Sequence, residues 1–191
     1  MGYMGLPVKL IGLTSGYSAG ILGATHMSLE DLAIMRSIPK LVVLSPCDGM
    51  ETMKCILEAA CIDAPVYIRM SGASRTPMIY KEDYPFEIGK AVTCKEGTDI
   101  SLMATGTMVH QAMKAAELLE ESGYSCEVLN FHTIKPIDKT AIQKSCDKKL
   151  IVTIEEHSIM GGFGSAVSEI LTSMTKRPPQ LIIGVEDKYL H

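Results

Sequence analysis

The chain has 191 residues, of which 47% are hydrophobic and 21% charged, a composition that excludes a wholly disordered or collagen-like chain. Eighteen basic and 22 acidic side chains give a formal net charge of −4, so nucleic acid and anionic membranes are not expected as general partners. No apolar run approaches the roughly 20 residues that a bilayer crossing needs, and the first residues lack the pattern of a secretory signal.

Six cysteines are scattered along the chain, and no two of them have the C-x-x-C spacing. This pattern favours free thiols in a reducing compartment over a disulfide framework or a zinc site. Free cysteines are mostly buried as small hydrophobic side chains, and we expect the same here. The sequence therefore predicts a cytoplasmic protein without a metal site of its own.

The first part of the chain alternates apolar strands with short helices. Strands are predicted at residues 7–13, 41–45 and 65–69, which are continuous apolar runs. A glycine-rich segment over residues 15–26 follows the first strand, and Ser28 is then predicted to cap a helix with Asp31 at its third position. Pro39 ends that helix, and Asp48 is predicted to cap the next one. Alternation of this kind indicates a parallel α/β sheet.

The second part of the chain repeats this alternation after a break. Residues 73–89 carry prolines and mixed charge without a sustained period, which indicates a linker between domains at residues 1–72 and 90–191. In the second domain, strands are predicted at residues 100–104, 126–129, 150–154 and 181–183, and helices at residues 107–122, 138–146 and 164–174. Three strands make a thin sheet for the first domain, so we expect the chain to be part of a larger assembly.

Two side chains near the carboxyl ends of the first domain's strands are candidate ligand-binding groups. The glycine-rich segment has neither a Walker A nor a G-x-G-x-x-G pattern, so an active-site loop of another kind is the better interpretation. His26 lies in it beside a helix N-terminus, where it would suit an anion or a carbonyl oxygen. Arg69 ends a strand at the same edge, and its planar fork of donors fits a phosphate or carboxylate. An exposed loop histidine and a surface ion pair are the ordinary alternatives, and Arg75 could serve in place of Arg69.

A second motif, Glu155-Glu156-His157, ends a strand and is followed by glycines at positions 161, 162 and 164. Adjacent residues of a strand point to opposite faces, so these three side chains are not expected to converge on a metal ion. The glycines are interpreted as positions where the chain turns tightly and a helix packs closely. His110 and His132 have no evident partner in the sequence and are interpreted as ordinary structural residues.

Three segments of the chain, in this order, resemble the transketolase family. Residues 23–26 (GATH) with residues 30–39 (EDLAIMRSIP) resemble the family's G-x-T-H stretch and the E-D-(apolar)-R-x-I-P stretch that follows it. Residues 65–69 resemble its next strand with a substrate-binding arginine, and residues 155–167 resemble the signature of its C-terminal domain. The likeness covers essentially the whole chain and is greatest to the C-terminal section of split, two-subunit transketolases. A 1-deoxyxylulose-5-phosphate synthase, a 2-oxoacid dehydrogenase β subunit and a non-catalytic assembly module remain open as alternatives.

The resemblance implies an α/β fold: part of a pyrimidine-binding domain with a parallel sheet, followed by a three-layer α/β/α transketolase C-terminal domain. It implies transfer of a two-carbon ketol unit between sugar phosphates with thiamine diphosphate and Mg²⁺. His26 would bind the donor's oxygens and assist proton transfer, and Arg69 would bind the substrate phosphate. The cofactor would lie against the diphosphate-binding domain of an N-terminal subunit, with most of its site outside this chain, and the section would form a homodimer.

Several positions depart from the family pattern. Leu22 stands where an acidic residue is usual, and Thr14 stands where a second histidine is often found. Cys47-Asp48-Gly49 lacks the first glycine of the family's Gly-Asp-Gly metal motif, so Asp48 is interpreted as a helix cap. The glutamate that activates the cofactor's aminopyrimidine ring and the aromatic residue that stacks on it are also not found. We therefore expect a chain truncated at both ends and catalytically silent on its own, because ketol transfer needs that glutamate and a metal clamp for the diphosphate.

Overall fold

A computed structural model describes residues 2–18, 20–72 and 76–189 of the chain. Its strands and helices follow in the order β1 (Lys9–Ser15), α1 (Asp31–Ser37), β2 (Val42–Leu44), α2 (Gly49–Cys61), β3 (Val66–Ser71), β4 (Val92–Lys95), β5 (Ile100–Ala104), α3 (Met108–Glu121), β6 (Cys126–Asn130), β7 (Thr133–Lys135), α4 (Lys139–Lys144), β8 (Leu150–Ser158), α5 (Phe163–Leu171) and β9 (Gln180–Val185). Single turns of 3-10 helix lie at Gly20–Leu22, Ala24–His26 and Ser145–Asp147.

The first sheet has the strand order β1-β3-β2-β7. Its first three strands are parallel, and β7 joins β2 in the antiparallel direction. Helix α2 covers one face, where Leu44, Val66 and Ile68 are buried, and Val43 and Tyr67 are buried in a separate cluster on the other face. This alternation of side chains places two apolar layers on a sheet of short strands.

The second sheet has the order β4-β6-β5-β8-β9, with β4 antiparallel to β6 and the other pairs parallel. Helix α3 packs its alanines on one face, while α4 and α5 pack on the other, so this domain has three layers. The cluster under α5 also contains Leu32 and Tyr67 of the first domain. The two domains therefore share a continuous core, and the α/β fold expected from the sequence is confirmed.

Most of the predicted strands and helices are present, with shifts of a few residues at their ends. One helix start is wrong: α1 begins at Asp31 after Glu30, and Ser28 instead pairs with Ser15 in an isolated bridge. Asp48 caps α2 as predicted, because its side chain accepts a hydrogen bond from the amide of Glu51. Strands β4 and β7 were not predicted.

All six cysteines are free thiols, although burial is not uniform, because Cys61 is exposed on α2. Within the part of the chain that the structure describes, no helix combines the length and hydrophobicity that a bilayer crossing requires.

Candidate functional site

A pocket of about 560 Å³ lies beside the end of β1, where the chain leaves the first sheet. It is lined in part by Thr14, Leu22, Thr25, His26, Ser28 and Glu30. The His26 loop, defined here as residues 16–18 and 20–28, forms one wall of it. His26 is the last residue of a 3-10 turn, and its Nδ1 lies 3.0 Å from Oγ1 of Thr25. The exposed ring is therefore held in a defined orientation at the pocket.

Thr14 gives this pocket a strained backbone. Its φ of 62° lies in the left-handed region, which β-branched residues avoid because of steric overlap. A strain of this kind costs on the order of 1–3 kcal/mol and is concentrated at ligand sites. Thr14 and the exposed Leu22 both face the pocket, so the two departures from the family pattern lie on one surface. That surface offers a hydroxyl and an apolar side chain in place of an imidazole and a carboxylate.

Arg69 lies at the carboxyl end of the first sheet, but its side chain is only 5% exposed. Its Nε donates to Asp31 Oδ2 at 2.8 Å, and one terminal nitrogen donates to the carbonyl oxygens of Ser28 and Glu156 at 3.2 and 2.9 Å. Arg69 is not among the described residues that line the His26 pocket. The guanidinium thus joins α1, the His26 loop and the second domain. Arg75, the alternative donor, lies outside the described residues.

The Asp31 carboxylate also accepts a hydrogen bond from the Tyr67 hydroxyl at 2.8 Å. Burial, together with the negative charge of Asp31, raises the pKa of Tyr67, so that hydroxyl stays protonated and donates. This tertiary network occupies the carboxylate that the sequence places in a capping role.

The Glu155-Glu156-His157 motif binds three separate partners. Glu155 accepts hydrogen bonds from the amides of Phe163 and Gly164 at the start of α5, at 2.6 and 2.7 Å. Burial raises the pKa of Glu155 to about 7, although both amides favour its charged form. His157 Nε2 accepts from the amide of Ala33 in α1 at 3.3 Å. Glu155 therefore caps the N-terminus of α5, and His157 joins the motif to α1 of the first domain.

The Glu156 side chain points the other way, toward the His26 loop. Its Oε1 accepts from the amide of Tyr17 at 2.6 Å, and its Oε2 accepts from Oγ1 of Thr107 at 2.5 Å. This contact is not predictable from local sequence patterns, because Tyr17 lies 139 positions away and no local period links the two residues. The only hint in the sequence was the pair of adjacent carboxylates, Glu155 and Glu156, for which no nearby partner is evident.

The other two histidines named above lie away from this pocket. His110, on α3, lines a separate cavity of about 360 Å³ where the two domains meet. His132 is fully buried and stacks on Phe86 with ring centroids 4.2 Å apart. Its burial lowers its pKa to about 4.

Together these features define a two-domain α/β chain with a pocket at the strand ends of its first domain, where α/β sheets commonly bind ligands. Residues 1–74 match the transketolase pyrimidine-binding domain, and residues 89–189 match the transketolase C-terminal domain. The chain belongs to the transketolase family, whose members depend on thiamine diphosphate.

Known relatives include two-subunit enzymes. A Methanocaldococcus jannaschii protein with the provisional name transketolase C-terminal section is 42% identical over 98% of this chain and 59% of its own length. One of the subunits of an apulose-4-phosphate transketolase from Phocaeicola vulgatus is 39% identical over 95% of this chain and 58% of its own length. A solved split-gene transketolase, an inactive β4 tetramer, is 35% identical with a TM-score of 0.88, covering 97% of this chain and 60% of that chain. The chain thus spans less than two thirds of each relative.

The described residues do not form a thiamine diphosphate site by themselves. Within residues 2–18, 20–72 and 76–189, no group of three His, Cys, Asp or Glu side chains is placed to hold a metal ion. Glu30, the one carboxylate among the described lining residues of the pocket, accepts from the amide of Leu29, and the adjacent Asp31 binds Arg69. Because a diphosphate is usually held through a hard cation with oxygen ligands, this donor set does not fit that end of the cofactor.

Proposed function

We propose that the chain is part of the C-terminal section of a two-subunit transketolase, which transfers a two-carbon ketol unit between sugar phosphates. The observation that carries the proposal is His26, whose imidazole is exposed and oriented in a pocket at the strand ends of a transketolase pyrimidine-binding domain. An imidazole can donate a hydrogen bond to a carbonyl or hydroxyl oxygen and can serve as a general acid or base. His26 is therefore assigned to the donor sugar's oxygens.

Arg69 stabilises this site indirectly, through contacts with the end of the His26 loop. The phosphate contact inferred from the family resemblance stays a prediction, because the guanidinium is buried and binds Asp31 and two backbone carbonyls. Such contacts fix the base of the His26 loop, so replacement of Arg69 is expected to disturb the pocket even without a direct phosphate contact.

A second subunit is also part of the proposal. The described donors do not fit the diphosphate end of the cofactor, so that end is assigned to an N-terminal subunit or to a diphosphate-binding domain elsewhere in the enzyme. Strand β1 has only β3 beside it among the described residues and exposes Leu10, Ile11 and Leu13. Apolar side chains on both faces of a parallel edge strand favour cover by further protein. We also propose that the assembled enzyme forms a homodimer, as the family resemblance implies.

The donor is proposed to be a ketose phosphate that differs from the usual linear polyol in the number or position of its hydroxyl groups. Leu22 is 59% exposed at the pocket and gives no acceptor to a donor hydroxyl, and Thr14 gives a hydroxyl where an imidazole is often found. A donor that lacks one hydroxyl, or carries it on a branch, suits this wall better than a linear polyol. A panel of linear and branched ketose phosphates tests this point separately from the ketol transfer itself.

The test of the function is reconstitution. This chain spans less than two thirds of its relatives, and the glutamate that the reaction needs is not found in it, so the test uses a C-terminal section of the relatives' full length that contains these residues. Mixed with the transketolase N-terminal section of the same source, thiamine diphosphate and Mg²⁺, that section is expected to transfer ketol units, and neither section alone, nor this chain, is expected to do so. His26→Asn should lower kcat by about 100- to 10,000-fold, the range of general acid–base groups. Tyr124→Phe, at an exposed side chain of the second domain that lines neither cavity described above, is the control and should retain activity. Full activity of His26→Asn, or transfer by the chain alone, would contradict the proposal.

A further inference from the structure

Both ends of the His26 loop are linked to Glu156 of the second domain, one end directly and the other through Arg69. The loop leaves β1 after Ser15 and returns at Ser28, where the amide of Gly16 donates to the Ser28 carbonyl oxygen at 2.9 Å. Ser15, the last residue of β1, also forms an isolated parallel bridge with Ser28. The loop is therefore closed at a narrow neck, and His26 lies two residues before its end.

The carboxylate of Glu156 binds at the start of this neck. It accepts from the Tyr17 amide at 2.6 Å with one oxygen and from the Thr107 hydroxyl at 2.5 Å with the other. Gly16 has a φ of +68°, and a Cβ at that position would overlap the Glu156 carboxyl group. Gly16 thus meets two requirements at once, a left-handed backbone and a close approach of the carboxylate.

The backbone of Glu156 reaches the other end of the loop through Arg69. One terminal nitrogen of the guanidinium donates to the Glu156 carbonyl oxygen at 2.9 Å and to the Ser28 carbonyl oxygen at 3.2 Å. The loop is thereby fastened at both ends to the end of β8, in the second domain. An amide bound to a carboxylate makes a charge-assisted hydrogen bond, which is stronger than a neutral one.

We propose that Glu156 is a positioning residue for His26, through which the second domain sets the conformation of the catalytic loop. The inference rests on the proposed function and assigns to the C-terminal domain a role in the reaction itself. Loss of the carboxylate leaves the Tyr17 amide without its acceptor, so the neck opens and the ring of His26 samples further orientations. Small displacements of a catalytic group are enough to reduce the rate strongly.

Three variants separate this role from general destabilisation. Glu156→Ala removes the two side-chain hydrogen bonds, from the Tyr17 amide and the Thr107 hydroxyl, and keeps the backbone contact with Arg69. Glu156→Gln keeps them in neutral form, because its oxygen can accept from Tyr17 while its amide donates to the Thr107 hydroxyl, which can rotate. Glu169→Ala is the matched control: it breaks the 2.6 Å ion pair between Glu169 and Arg36, which also joins the two domains but does not touch the loop neck.

The first readout is hydrogen exchange of the chain by mass spectrometry, and it needs no activity. Peptides covering residues 16–28 are expected to exchange about tenfold faster in Glu156→Ala, while Glu156→Gln and Glu169→Ala stay near the unsubstituted chain. Equal protection of the loop in Glu156→Ala and the unsubstituted chain would overturn the proposal.

The second readout is the kinetics of the reconstituted enzyme. Glu156→Ala is expected to lower kcat by about 10- to 100-fold with a smaller change in KM, and Glu156→Gln should recover most of the loss. In a His26→Asn background, Glu156→Ala should cause little further loss, because the residue acts through His26. An unchanged kcat in Glu156→Ala would overturn the positioning role. A lack of transfer by the unsubstituted enzyme would instead contradict the proposed function. The hydrogen-exchange measurement would then decide by itself whether Glu156 holds the His26 loop in place.

Discussion

Arg69 and Asp31 form a buried ion pair at the junction of the two domains, with Nε 2.8 Å from Oδ2 and side chains that are 5% and 9% exposed. Removing two charges from water is unfavourable unless the remaining donors and acceptors find partners. Here Tyr67 donates to the carboxylate, and the carbonyls of Ser28 and Glu156 accept from the guanidinium. Both charged groups therefore have several hydrogen-bond partners, and each member of the pair depends on the other.

The two members of this pair should be strongly coupled in their effect on the free energy of unfolding. Arg69→Met is expected to lower the free energy of unfolding by about 3–5 kcal/mol, because it leaves the Asp31 charge buried without a partner. The double variant Arg69→Met/Asp31→Leu should lose less than the sum of its single variants in urea unfolding. Arg36→Met, which breaks a more exposed pair with Glu169, is the control and should cost about 0–1 kcal/mol. Strict additivity of the two single variants would contradict the coupling.

Local patterns in the sequence predicted the regular elements well. The strand at residues 100–104 agrees with β5 and the helix at 107–122 agrees with α3 to within one residue at each end, since a buried run and a 3.6-residue period are each strong over that length. Strands β4 and β7 have only four and three residues, too few for a period to appear. Their pairing comes from contacts with distant strands.

The site was predictable in part. The sequence singled out His26 and Arg69 because each lies in or beside a loop at a strand end. The structure places His26 on a pocket there and buries Arg69 outside it, and the roles of both in ligand binding stay predictions. The partner of Arg69 was not predicted, because Asp31 lies 38 positions earlier and Ser-x-x-Asp is also a capping pattern. The strain at Thr14 is equally invisible in sequence, where the residue directly follows an apolar run.

Lys40 occupies a turn position that favours glycine. The Leu41 amide donates to the Ile38 carbonyl oxygen at 3.4 Å across Pro39 and Lys40, and Lys40 has a φ of 64°. Proline at the second position and a left-handed residue at the third are the pattern of a type II turn.

Lys40→Gly is therefore expected to raise the free energy of unfolding by about 1 kcal/mol, because glycine adopts this conformation without steric overlap. Lys40→Ala is the matched control: it removes the same long side chain but keeps the Cβ atom, so no gain is expected. Chemical denaturation of the three proteins measures the difference. Equal stabilisation by both variants would show that the backbone conformation is not the cause.

Protonation of His132 should destabilise the fold in mild acid. Burial against Phe86 lowers its pKa to about 4 from an ordinary value of 6.5, so the unfolded chain binds the proton more tightly. Its contribution to stability is complete above pH 6.5 and is lost as the pH falls from 6.5 toward 4, by about 3 kcal/mol. Glu155, whose pKa is raised to about 7 from 4.5, acts in the opposite sense, because its contribution is lost as the pH rises from 4.5 through 7.

The comparison of His132→Phe with the unsubstituted chain isolates the first effect. The free energy of unfolding, measured by urea titration between pH 4 and 8, should fall less steeply toward acid in His132→Phe. His110→Gln serves as the control, and its pH profile should follow that of the unsubstituted chain. Parallel profiles for all three proteins would exclude His132 as the acid-sensitive group.

Strand β1 should make the chain associate with itself when no partner subunit is present. Leu10 and Ile11, 40% and 44% exposed, point to opposite faces of a strand that has one neighbour among the described residues. A strand with an open edge and apolar side chains on both faces is a template for pairing with another chain. Sedimentation velocity at rising concentration should show dimers or larger species, and Ile11→Lys should shift them toward monomer. Leu118→Lys, which removes an even more exposed apolar side chain from α3, should leave association unchanged. A clean monomer of the unsubstituted chain at high concentration would mean that β1 needs no cover.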